Sequence, residues 1–259
     1  MKRYECNAAA FFALCVLASS AATAGERDRA LPEIEWDTTL DFFRFDSEKF
    51  LGQRLTVRCP PLERNQSLDG VFGTDRYSSE SPICLAALHA GKITKEGGTV
   101  TIQLMPGEES YEGSTKNGVT SGSLPSTKLS FLFVEESNRA AADRMQRELI
   151  PRIKWDTKFT TTGFAYRNLV GQRFTFRCPA APSEMRSRLI YGTDRYDFSS
   201  LLCPAALHAG AITTDGGVLT VQLDKGSVRL VGSIRNGVET KSKRSGDRTL
   251  TFVTKEDSK

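Results

Sequence analysis

The sequence predicts an α+β protein of two tandem domains, each made of short antiparallel strands wrapped around one central buried helix. Three observations carry this reading. The chain repeats itself at an offset of 119 residues. Each copy holds alternating or β-branched runs separated by turn dipeptides, the pattern of short strands. Between those runs stands one short segment, Ile83–Ala90 in the first copy, that is apolar almost all round. A helix without a polar face must be covered on every side.

The repeat aligns LPEIEWDT (Leu31–Thr38) with IPRIKWDT (Ile150–Thr157) and LGQRLTVRCP (Leu51–Pro60) with VGQRFTFRCP (Val170–Pro179). The same shift sets VFGTDRY (Val71–Tyr77) on IYGTDRY (Ile190–Tyr196) and CLAALHAGKIT (Cys84–Thr94) on CPAALHAGAIT (Cys203–Thr213). Of the 104 positions from Leu31 to Val134, 43 are identical to their partners without a gap. Unrelated segments do not agree to that extent, so residues 31–137 and 150–259 are expected to be two copies of one domain. Solenoid repeats are shorter and need neighbours to cover their faces, which favours two separate domains. Residues 138–149, rich in Ala, Arg and Glu and free of Gly and Pro, form the expected linker, with enough helical character to set the angle between the domains.

Residues 1–24 read as a cleaved signal peptide. Lys2 and Arg3 precede an apolar run from Ala8 to Ala18, and Ala22-Thr23-Ala24 offers the small residues a signal peptidase reads, placing the mature start near Gly25. No other apolar stretch approaches the ~18–20 residues a membrane span needs. The expected location is therefore secreted or periplasmic, with no transmembrane segment. Cys6 and Cys15 leave with the signal, and Cys59, Cys84, Cys178 and Cys203 remain. Export favours disulfides over metal ligation. Of the three connectivities, pairing within each copy satisfies both copies identically, so Cys59–Cys84 and Cys178–Cys203 are predicted. Each bridge should stabilise its domain by about 3–4 kcal/mol on the chain-entropy estimate.

Along one copy, Leu55, Val57 and Cys59 alternate with Thr56 and Arg58 as in a half-buried strand, and Val71-Phe72 and Val100–Leu104 supply further strands. Ser81 is placed to cap the helix, Pro82 suits its first turn, and Gly91 should end it in the left-handed conformation. In the second copy Pro204 should delay the helix to Cys203 or remove one hydrogen bond. Gly97-Gly98 and Asn117-Gly118 are turns, the second a strong hairpin signal. Leu129, Phe131 and Phe133 form the last strand. The chain's two histidines, His89 and His208, fall in the repeated word AALHAG at the end of this helix. Their expected role is structural, with each imidazole bonded to nearby carbonyls or to a neighbouring strand.

The string GTDRY, then SPICLAALHAG, then GG, then YEGSTKNGVTS (Tyr111–Ser121), resembles the LCCL family, and the resemblance covers both copies, Leu31–Val134 and Ile150–Val253. It implies an extracellular module whose central helix is flanked by twisted antiparallel β-sheets. It also implies an association with lipopolysaccharide binding and with extracellular defence or matrix roles. Family members often carry four cysteines per domain, whereas each copy here keeps the pair that resembles the second disulfide. The second copy departs further, with Leu230 for Tyr111 and Thr240 for Ser121. A ligand surface that used Tyr111 would be missing from it.

Charge separates the copies. Residues 31–137 hold ten Lys/Arg against sixteen Asp/Glu, a balance of −6, and residues 151–259 hold eighteen against ten, a balance of +8. The basic excess includes Arg186, Arg188, Arg229, Arg235 and the run Lys241, Lys243, Arg244 and Arg248. Turns present such cations beside backbone N–H groups, which suits phosphate or sulfate. These eight residues, with Tyr111, are the candidate ligand-binding set. The expected function is non-catalytic binding of lipopolysaccharide or another anionic glycan or glycolipid. The alternative is a structural or protein-interaction module whose charge asymmetry drives docking.

Other classes have less in their favour. Nucleic acid is not expected, because the patch lacks interleaved aromatics and export removes the protein from most nucleic acid. No GxSxG motif occurs, and a hydrolase using Asp37, Asp41, Asp46, Glu108, Glu109 or Glu112 would be confined to the first copy, since only Asp37 has an acidic counterpart, Asp156. No cofactor or metal is expected.

Overall fold

The protein is described by a computed structural model covering residues 31–43, 50–64, 67–161, 169–183, 189–227, 229–244 and 248–253. In the first copy β1 (Arg54–Cys59) precedes the short β2 (Gly73–Thr74) and β3 (Arg76–Ser78), and helix α1 follows over Ile83–His89. Strand β4 (Gly98–Pro106) leads into two small hairpins. There β5 (Ser110–Tyr111) pairs with β8 (Leu124–Pro125), enclosing β6 (Thr115–Lys116) and β7 (Val119–Thr120). Strand β9 (Leu129–Phe133) completes an antiparallel sheet of order β1-β4-β9-β3-β2. The alternation read from Leu55, Val57 and Cys59 is the inward face of β1, all three buried, and Leu55 lies opposite Ile102 of β4.

Helix α2 (Arg139–Leu149) occupies the segment between the copies, with Ala142 buried. Its Leu149 Cβ and Gln146 carbonyl lie 3.0 and 3.3 Å from where a side chain on Gly52 would begin. The helix therefore packs down onto the turn before β1.

The second copy repeats the plan. Strands β10 (Arg173–Cys178), β11 (Gly192–Thr193) and β12 (Arg195–Asp197) precede α3 (Leu202–His208) and β13 (Gly217–Lys225). Hairpin pieces β14 (Arg229–Leu230), β15 (Ile234–Arg235), β16 (Val238–Glu239) and β17 (Lys243–Arg244) lead to β18 (Arg248–Val253), in a sheet ordered β10-β13-β18-β12-β11. This is the α+β architecture expected.

All seven residues of α1 and of α3 are buried. Each helix is tied to its outer strand by a disulfide, Cys59–Cys84 and Cys178–Cys203, with Cα atoms 5.7 and 5.8 Å apart. Both pairs are those predicted. The helix ends are also as expected. Gly91 at φ 69° lets its own N–H reach Leu88 O and the Lys92 N–H reach Ala87 O, and Gly210 at φ 76° does the same with Leu207 and Ala206. This is the paired closure of a Schellman motif.

Three expectations need correction. Ser81 does not cap α1: its hydroxyl bonds back to Phe72, accepting from the N–H at 2.9 Å and donating to the carbonyl at 3.1 Å. The first helical N–H, on Ile83, is instead taken by Thr38 O at 2.9 Å, a long-range acceptor that local spacing could not show. The second helix starts at Leu202, not Cys203, and Pro204 costs it no bond. Its first intrahelical donor is Ala205, and the residue equivalent to Pro204 in α1, Leu85, lies equally before the first intrahelical donor, Ala86. Finally, the strand expected at Val71-Phe72 falls on Gly73–Thr74, with Phe72 making only an isolated bridge to Gly122.

Candidate functional site

The histidines are the most chemically capable groups in the fold, and both are fully buried. His89 Nε2 lies 3.1 Å from the Ser114 carbonyl, which can only accept, so Nε2 carries the proton. Nδ1 is then the acceptor for the Tyr77 hydroxyl at 2.8 Å. Asn117, held at φ 50° in the Asn-Gly turn, donates its side-chain amide to His89 O at 2.9 Å and so caps α1. The second copy matches: Tyr196 Oη meets His208 Nδ1 at 2.7 Å, Ser233 Oγ meets Nε2 at 3.1 Å, and Asn236 bonds His208 O. Burial pushes the Tyr77 and Tyr196 phenols up to about 12, so both stay protonated and donate. Burial also lowers His208, favouring the neutral ring. With both nitrogens occupied and no access to solvent, neither imidazole is placed to attack or protonate a substrate.

Among the described residues no three His, Cys, Asp or Glu converge as metal ligands. Of the first-copy acids, Glu108 is bound by Arg76, and Asp46 lies outside the described residues.

The basic candidates divide into two groups. Arg235 pairs with Asp194 in the GTDRY turn, as Lys116 pairs with Asp75 at 3.1 Å in the first copy. Lys243 sets its ammonium 3.0 Å from Asp197 and 5.0 Å over the Tyr191 ring. Burial tends to raise the Asp197 carboxyl, yet hydrogen bonds from Ser199 and Lys243 outweigh it and hold the group below the ordinary carboxylate value. Lys243 and Asp197 replace Leu124 and Ser78 of the first copy, a compensated exchange. The charges of Arg235 and Lys243 are therefore spent within the fold.

Arg229, Lys241 and Arg244 are exposed and meet no carboxylate among the described residues. Arg229 stands directly opposite Arg244 across β14 and β17. Directly opposed like charges destabilise a strand pair. The same two positions in the first copy are Ser110 and Pro125. Arg229 and Arg244, with Leu230, Ser242 and Lys243, line a cavity of about 720 Å³. Following Leu230 in the chain, Val231 and Ile234 are 58% and 74% exposed, where the first copy has Glu112 and Thr115. These two aliphatic residues were missed in the sequence, although their exchange for polar partners at the repeat offset is a legible signal.

Of the remaining candidates, Arg248 opens β18 opposite Lys225, half-buried. Arg186 and Arg188 lie outside the described residues. Tyr111 corrects an expectation: it is 3% exposed, and its hydroxyl accepts from the Glu108 N–H at 3.1 Å and shares a 2.8 Å bond with Thr127. A phenol so enclosed presents no surface to a ligand. Leu230 fills the equivalent buried place in the second copy.

Fold and site together define a tandem of helix-centred α+β domains, each held by one helix-to-strand disulfide, the second carrying three exposed cations that meet no carboxylate among the described residues. The chain belongs to the LCCL domain family, whose model matches it twice, over residues 34–131 and 153–249. It is 37% identical to human vitrin over 87 residues, which is 34% of this chain and 13% of vitrin. Human cysteine-rich secretory protein LCCL domain-containing 2 is 30% identical over 177 residues, 66% of this chain and 33% of that protein. Human cochlin is 38% identical over 82 residues, 30% of this chain and 14% of cochlin. The chain thus spans a third or less of each of these relatives.

Proposed function

We propose that this protein is a non-catalytic binding module acting outside the cytoplasm, and that its second domain takes an anionic glycolipid of the lipopolysaccharide type. The observation that carries the reading is the opposed pair Arg229 and Arg244 lining a cavity, introduced where the first domain has Ser110 and Pro125. Such a pair is relieved when a phosphate bridges it through charge-assisted bonds. Exposed Val231 and Ile234 on the same domain, a few residues along the chain from Arg229, favour an amphiphile over a purely polar glycan. On this reading residues 1–24 are an export signal and residues 138–149 link the domains. The word "secretory" in the name of one relative supports that address.

The test is a titration of purified lipopolysaccharide, and of its lipid-free polysaccharide, with the wild type and two variants. Arg229→Ser/Lys241→Ser/Arg244→Ser should weaken binding to lipopolysaccharide about tenfold at near-physiological salt, the combined effect of three exposed charge contacts. Val231→Ser/Ile234→Ser should weaken lipopolysaccharide binding while leaving any polysaccharide binding unchanged. Equal binding by the arginine and lysine variant, or no binding by the wild type, would remove this surface as the site.

A further inference from the structure

β1 and β10 are the outer strands of their sheets, so each turns a row of backbone N–H and C=O groups away from its own domain. In this chain those two rows face each other through two glutamines. Gln53 donates from Nε2 to Thr175 O at 2.7 Å and accepts the Thr175 N–H at 2.9 Å. Gln172 donates to Thr56 O at 2.7 Å and accepts the Thr56 N–H at 2.8 Å. A primary amide offers a donor and an acceptor side by side, as a peptide group does, so each side chain stands in for one residue of a neighbouring strand. Both glutamines are buried, at 1% and 3% exposure, so these four bonds are what satisfies them.

Gln53 and Gln172 are equivalent at the 119-residue offset, as are Thr56 and Thr175. The contact is therefore reciprocal: residue i of one domain meets residue j of the other, and j meets i, the signature of a two-fold interface. Each domain carries both halves of the lock in one word, GQRLT (Gly52–Thr56) or GQRFT (Gly171–Thr175). The surface is self-complementary.

We infer that this strand edge is a docking surface for a second domain bearing the same edge, filled within the chain by the other repeat and open to a second copy of the chain when that repeat cannot fill it. The residues involved are separate from the basic face, so the inference stands apart from the glycolipid reading. Disabling one edge should leave the other domain's edge without its partner. Two chains will then pair through the intact edges.

The experiment uses the full chain. Gln172→Ala/Thr175→Pro blocks the second domain's edge, and the proline is compatible with β10 because the N–H it removes points outward to Gln53. Light scattering after size exclusion, over a concentration series, should show the wild type at monomer mass and this variant approaching twice that mass. Adding Gln53→Ala/Thr56→Pro should return it to monomer mass. Gln172→Ala without the proline should show a smaller shift in the same direction, which guards against misfolding of the proline variant. Wild-type dimers that the four-fold variant abolishes would equally support the edge as the docking surface. Single-edge variants that stay monomeric at every concentration, or a four-fold variant that still dimerises, would overturn it.

Discussion

His208 illustrates what a single side chain contributes. Its ring is buried and neutral, held between Tyr196 and Ser233, and its pKa is lowered from the ordinary 6.5 chiefly by burial. Below pH 6.5 the unfolded chain takes up a proton that the folded chain resists. The stability due to this group is therefore full above that pH and falls as pH drops toward the lowered native value. Urea titrations from pH 7.5 to 5 should show this loss, and His208→Gln should flatten it while lowering stability at pH 7.5 by about 1–3 kcal/mol through the broken network. A slope unchanged in the variant would assign the acid sensitivity elsewhere. The burial of this ring was legible from the apolar word around it. Its partners were not, because Tyr196 and Ser233 lie 12 and 25 residues away and reach it only through the folded sheet and hairpin.

The two core helices show how far local chemistry decides an element. Their Schellman ends follow from a glycine that tolerates positive φ, so Gly91→Ala and Gly210→Ala should each cost about 1 kcal/mol from backbone strain. Gly91→Ala should cost more, because a Cβ there comes within 3.0 Å of Asn117 Nδ2, against 3.5 Å to Asn236 Nδ2 at Gly210. Thermal unfolding of the two variants compares them directly. The helix starts were less legible, since Thr38 and Thr157 supply the acceptors from distant loops. The disulfides join helix to outer strand, and Cys178→Ser/Cys203→Ser should lower stability by about 2–5 kcal/mol. Measured denaturation midpoints within error of wild type would mean that packing around the wholly buried α3 suffices.

At the scale of the molecule, duplication has left one scaffold and two surfaces. The first domain is acidic and the second basic, yet the basic face is smaller than composition suggests, because Arg235 and Lys243 are neutralised by Asp194 and Asp197. Salt should therefore weaken ligand binding less steeply than eight free cations would, Arg229, Lys241 and Arg244 being the candidates that are exposed and meet no carboxylate among the described residues. A salt series of the lipopolysaccharide titration checks this. The junction offers the second whole-molecule feature, in which the GQR words cover each other's strand edges. It also borders a cleft of about 510 Å³ lined in part by Arg54, Arg139 and Arg173, with Arg54 tied to Asp143 of α2 at 2.7 Å.

The sequence by itself determined the duplication, the disulfide pairing, the buried helix with its glycine end and the α+β class. Each of these follows from local spacing or from comparing the chain with itself. Only the tertiary structure decided that Tyr111 belongs to the core, which cations remain free and that Gln53 and Gln172 join the two halves. Those outcomes depend on which distant side chains arrive beside each group, and charge, burial and hydrogen bonding are properties of that company, not of the residue alone.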